Sequence, residues 1–121
     1  NINDRYGHAA GDAALGMTAK MLQEAFPDGF VVRWGGDEFV VALMGERSTE
    51  RTEATVRALL AELAHESAAD GNAWAVTASA GIAATDDPGL PIDALIRKSD
   101  EALYRAKREG ASPCVAGPDP A

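Results

Sequence analysis

The sequence predicts an α+β domain in which helices flank a central, mainly antiparallel sheet. Three observations carry this. The apolar period changes along the chain in the order helix, strand, strand, helix, strand, helix. Gly35-Gly36 separates two β-rich apolar runs, the pattern of a hairpin. Finally, 121 residues with 46% hydrophobic and 25% charged side chains have the length and composition of one soluble domain with a core of its own.

Taken in order, Leu15, Thr18, Ala19, Leu22 and Phe26 recur at helical spacing from Asp12 onward, and Pro27-Asp28-Gly29 stops them. Phe30-Val31-Val32 and Phe39 to Leu43 read as strands, joined by Arg33 to Glu38. Ser48 with Arg51 three residues later is half a capping box, and Val56, Leu59, Leu60 and Leu63 mark a second helix ending near Asp70-Gly71. Trp74 to Ala83 alternates loosely and reads as a strand. Ile92, Leu95, Ile96, Ser99, Ala102, Leu103 and Ala106 form the cleanest helical stripe, with Pro91 near its first turn and Gly110 beyond its end. The Gly, Pro and Ala residues from 116 to 121 read as a flexible tail, leaving 1–115 as the domain.

Composition narrows the function. Cys114 is the single cysteine, which excludes a disulfide scaffold and a cysteine-based zinc cluster. No apolar run reaches the roughly 18 residues a membrane helix needs. A net charge of -8 and a pI near 4.6 argue against a nucleic-acid polymer as partner, since neutralising a phosphate backbone takes clustered Lys and Arg. A small anionic ligand remains compatible when a divalent cation compensates its charge.

The strongest local feature is Gly35-Gly36-Asp37-Glu38. Two carboxylates stand at a tight turn between apolar strands, and the glycines let a ligand approach the backbone while a carboxylate binds a hard cation such as Mg²⁺. Adjacent strand residues point to opposite faces, so Asp37 and Glu38 need not face one ligand. Taken alone, the same four residues equally describe an ordinary exposed polar turn. Upstream, Asn3 to Asp12 is polar and punctuated by glycine. Asp12 is placed to cap the first helix, the commoner role, and an Asn amide with an Asp carboxylate can also read guanine. His8 has no nucleophile partnered with it and is assigned to structure. Lys98, Arg105, Lys107 and Arg108 complement the dipole of the last helix, and Lys107 could instead reach a triphosphate.

Together, Asn3-Asp4-x-Tyr6-Gly7-His8-x-x-Gly11-Asp12-x-x-Leu15, Arg33-x-Gly35-Gly36-Asp37-Glu38-Phe39, Thr77-x-Ser79-x-Gly81 and Ser99-Asp100-x-Ala102-Leu103-Tyr104-x-Ala106-Lys107 closely resemble the GGDEF family of diguanylate cyclase domains. The resemblance implies a fold like nucleotidyl cyclases and polymerase palms, and condensation of two GTP into cyclic diguanylate (c-di-GMP) with release of two pyrophosphates. It matches Asn3 and Asp12 to the guanine-contacting pair, Gly35 and Gly36 to the turn beside the phosphates, Asp37 to the metal-binding carboxylate, and Glu38 to the second acidic residue, also catalytic and metal-binding. Lys107 matches a phosphate-contacting lysine. It further implies Mg²⁺ or Mn²⁺, a transient homodimer because one domain holds one GTP, an upstream sensory or regulatory domain, and a cytoplasmic location.

Three departures accompany the resemblance. The family's first strand, with a further metal-binding Asp, precedes the segment that opens at Asn1. Gly110-Ala111-Ser112 stands where the family commonly has Gly-Arg-Asn, so an arginine expected near the terminal phosphates is missing. Phe26 and Gly29 occupy the positions of an Arg-x-x-Asp inhibitory product site, which is therefore expected to be lost, with product binding at the active site instead. The alternative function is a catalytically impaired domain serving as a GTP or c-di-GMP binding or dimerisation module.

Overall fold

A computed structural model describes residues 8–36, 38–45, 48–69, 77–110 and 112–116. The elements are α1 (His8–Ala25), β1 (Phe30–Gly35), β2 (Glu38–Ala42), α2 (Thr49–Ala69), β3 (Gly81–Ile82), α3 (Ile92–Glu109) and β4 (Cys114–Val115). They fall into two compact units, one comprising residues up to 47 together with 58–77, the other 48–57 together with 78 onward.

In the first unit, α1 begins at His8, ahead of the expected start at Asp12. Asp12 is therefore an exposed residue inside the helix and not its cap. Ala9 and Ala10, both strong helix formers, carry the helix through Gly11, whose helical cost of about 1 kcal/mol does not end it. The helix has two apolar faces. Ala14, with Met17 and Met21, packs on the fully buried Leu63 of α2, whereas Leu15 and Ala19 face the hairpin. Phe26 is 4% exposed and ends α1, its amide bonding to the Leu22 carbonyl at 2.9 Å.

β1 and β2 pair antiparallel, with Val31 opposite Val41, Arg33 opposite Phe39 and Gly35 opposite Glu38. The ladder extends through Arg33 to Gly35, which the sequence had placed in the connection, because a two-residue loop lets pairing continue to the turn. Gly36 supplies the positive φ of 52° that primed hairpin turns require at their first central position. An irregularity between Arg33 and Gly35 interrupts the register at Trp34. Alternation leaves Phe30, Val32 and Trp34 on the exposed face.

α2 starts as its cap predicts, the Arg51 amide donating to Ser48 Oγ at 3.1 Å. Further along, Leu59, Leu63 and Ser67 repeat every fourth residue as its buried row, and Ser67 Oγ donates to the Leu63 carbonyl at 2.8 Å.

The second unit corrects the expected Trp74 to Ala83 strand. Among the described residues of that stretch, Gly81–Ile82 alone joins a ladder, and its partner is the parallel Cys114–Val115. A two-residue partner limits the pairing, and the Ala80 amide is taken by Ser112 Oγ at 2.9 Å. Residues 70–76, including Trp74, lie outside the described residues. Among the described residues the strands form an antiparallel pair, β1 with β2, and a parallel pair, β3 with β4. α3 lies against β3 and β4, with Ala102 and Ala106 buried; it is preceded by Pro91 and closed by Gly110 in the left-handed conformation at φ 67°. Ile92, expected on the apolar stripe, is 63% exposed at its first turn. No helix among the described residues is long and apolar enough to cross a membrane.

Candidate functional site

One groove, of about 480 Å³, runs between α1 and the inner face of the hairpin. Asp12, Leu15, Gly16, Ala19 and Gln23 form its helical wall. These positions share one side of α1 because three- and four-residue steps return to the same face. Val31, Arg33 and Phe39 form the opposite wall, alternate residues on β1 together with the cross-strand partner of Arg33. The groove therefore joins an apolar slot, lined by Leu15, Val31 and Phe39, to one carboxylate and one guanidinium. A planar base suits such a slot, and a carboxylate at its edge can accept N–H donors from it.

At the end of the hairpin, Arg33 Nε donates to the Gly36 carbonyl at 2.8 Å and braces the turn. A Cβ added at Gly35 or Gly36 would meet no atom within 4 Å, so the turn is open to close approach. Glu38 is exposed at the first position of β2, opposite Gly35.

Of the residues singled out from the sequence, Asp12 is thus in the groove wall, and Gly35, Gly36 and Glu38 are in the hairpin whose Val31, Arg33 and Phe39 form the facing wall. Asn3 and Asp37 lie outside the described residues. Lys107 is exposed in the last turn of α3, in the second unit, where with Arg108 it complements the helix dipole. His8 is the first residue of α1. Sequence reasoning assigned no role to Arg33 and Phe39 as groove residues. Strand alternation through Val31 was the available signal, but the run from Arg33 to Glu38 had been read as a connection.

Carboxylates are hard oxygen donors suited to Mg²⁺ or Mn²⁺, and Glu38 is such a donor at the turn. Among the described residues, however, no three His, Cys, Asp or Glu side chains gather as a metal cage.

Compared with known proteins, residues 1–113 match the family model described as diguanylate cyclase, GGDEF domain. The chain belongs to this GGDEF family. It is 40% identical over 111 residues to an uncharacterized signaling protein of Caulobacter vibrioides, an alignment covering 89% of this chain and 14% of that protein. It is 37% identical over 120 residues to the diguanylate cyclase DgcM of Escherichia coli, covering 96% of this chain and 28% of DgcM. The chain thus spans well under a third of the length of these relatives. Among solved structures it resembles the active GGEEF domain of a diguanylate cyclase from Vibrio cholerae, with TM-score 0.85 and 30% identity over 98% of this chain and 76% of that one. The GGDEF domain of DgcB from Caulobacter crescentus, solved in complex with c-di-GMP, gives TM-score 0.79 and 25% identity over 95% and 70%. The palm-like α+β fold follows from these likenesses.

Proposed function

We propose that this GGDEF domain is the catalytic domain of a diguanylate cyclase, condensing two GTP into c-di-GMP and two pyrophosphates. The observation that supports it best is the groove that sets Asp12 and an apolar slot alongside the glycine turn. Guanine would lie between Leu15 and Phe39, with its N1–H and exocyclic amine donating to Asp12 and its O6 and N7 accepting from the Asn3 amide. Adenine presents an acceptor at N1 and would face the Asp12 carboxylate unfavourably. The triphosphate would then pass over Gly35-Gly36, where no side chain obstructs it.

In each half-reaction a 3′-hydroxyl attacks an α-phosphorus in line. One P–O bond forms, the bond to the bridging oxygen breaks, pyrophosphate leaves, and the hydroxyl proton is given up to solvent or base. Mg²⁺ or Mn²⁺, when held by Asp37 and Glu38, supplies charge neutralisation on the phosphates and lowers the pKa of the hydroxyl. The remaining task of the chain is to position the nucleotide. With one GTP per domain, both attacks require two domains face to face, hence a homodimer that need only be transient. GTP and its product place the reaction in the cytoplasm, under whatever sensory or regulatory domain accompanies it.

A second reading has a specific observation behind it. Ala111 stands where an arginine was expected near the terminal phosphates, which favours a domain that binds GTP or c-di-GMP without turnover. Incubation of the protein with GTP and Mg²⁺, and chromatography of the products, separates the two. Formation of c-di-GMP from GTP with no product from ATP establishes the cyclase. Tight guanine-nucleotide binding without product establishes the binding module, and absence of both refutes the site.

A further inference from the structure

We infer that Arg33 is a phosphate-reading residue of this site, one that also positions the turn; the inference rests on the guanine-nucleotide reading of the groove. Among the described residues lining the groove, Arg33 is the sole cation. It stands on the strand that leads from the slot to the glycine turn, directly across from Phe39. Its Nε–H is committed to the Gly36 carbonyl at 2.8 Å. That bond fixes the plane of the guanidinium, because the five donors of arginine form a rigid fork. Once Nε is anchored, the Nη groups need little further ordering to meet an anion.

The location gives those donors a purpose. A nucleotide with its base beside Asp12 and its phosphates over the turn must run past Arg33. The surroundings are acidic, with Glu38 opposite Gly35 and a net charge of -8 on the chain. An anion entering there gains from a fixed cation that is not itself neutralised by the divalent ion. Arg33 also turns the Gly36 carbonyl dipole toward itself, so that this oxygen is occupied by a donor when phosphate oxygens arrive.

The test compares guanosine with GTP, in the presence of Mg²⁺, on the wild-type protein and on Arg33→Met and Arg33→Lys. Guanosine carries the base alone, so its binding reports on the Asp12 side of the groove and on its integrity. For Arg33→Met we expect about tenfold weaker GTP binding, the low end for a charged hydrogen bond because Arg33 is exposed, with guanosine binding unchanged. Arg33→Lys keeps the charge but loses the Nε donor and the fork, and GTP binding should recover only in part. Unchanged GTP binding in Arg33→Met overturns the inference. So does an equal loss of guanosine and GTP, which would make Arg33 a support of the groove alone, and so does full rescue by lysine, which would leave only a point charge. If the wild-type protein binds neither ligand, the guanine site itself is wrong and this inference falls with it.

Discussion

Gly81 offers the sharpest test of the packing that holds the second unit together. A Cβ built on Gly81 would lie 2.8 Å from Leu103 Cα and closer still to the Ser99 carbonyl oxygen and the Leu103 nitrogen. All three are backbone atoms of α3, so no side-chain rotation relieves the clash. Ordinary contact for such a carbon begins at 3.4 Å, and because the two nearest backbone atoms lie well inside that, α3 must retreat from β3 by more than about 1 Å for a relaxed fit. Retreat loosens the buried Ala102 and Ala106 as well. We expect Gly81→Ala to cost about 3 kcal/mol, the upper part of the range for overpacking. For a chain of this size that corresponds to a fall in Tm of roughly 10 °C. Thermal melting by circular dichroism, with urea titration to show a lower midpoint at similar slope, reads the effect. Gly35→Ala is the control, because its Cβ meets nothing and its φ is not positive. A Gly81→Ala protein melting within about 2 °C of wild type, where well under 1 kcal/mol is lost, would show that strand and helix are not in contact here.

Four further outcomes are expected. Gly16→Ala should raise stability by about 0.5–1 kcal/mol, since Gly16 is mid-helix with open space around it, yet weaken GTP binding because the methyl group enters the groove; melting and titration on one sample check both signs. Ser48→Ala should cost about 1 kcal/mol by orphaning the Arg51 amide, measured as a urea midpoint shift. Asp12→Ala should weaken c-di-GMP binding while Phe26→Ala, although about 3 kcal/mol less stable, retains it in the folded protein; the opposite pattern would put product at an inhibitory site after all. Asp37→Asn keeps shape and removes charge, so Mg²⁺-dependent GTP turnover should vanish with Tm unchanged, and comparable turnover would overturn the metal assignment.

Phe26 and Gly29 show why the expected loss of the inhibitory site has a structural side. Phe26 is buried at the end of α1, and a Cβ on Gly29 would sit 2.8 Å from Leu43 Cδ2. Phe26 packs the end of α1, so it cannot be exchanged for a charged residue without repacking, whereas the nearest neighbour of a Gly29 side chain is the movable end of Leu43.

Local rules were enough wherever one element explained itself. The stop of α1 at Pro27, the Ser48 cap, the Gly36 turn and the Gly110 end of α3 are legible in the sequence, because each depends on dihedral preferences and hydrogen bonds within a few residues. The ordered motifs from Asn3 to Lys107 were likewise enough to carry the family. Long-range pairing decided the rest. β4 is two residues long and has no period to detect, yet it is the strand that β3 pairs with. Whether Asp12 capped α1 or lined a groove depended on how far the helix ran back through Gly11 and on the hairpin that faces it. The roles of Arg33 and Phe39 emerged only once antiparallel register placed them side by side facing α1, because which residues share a wall is a property of two strands and a helix together, and no single segment encodes it.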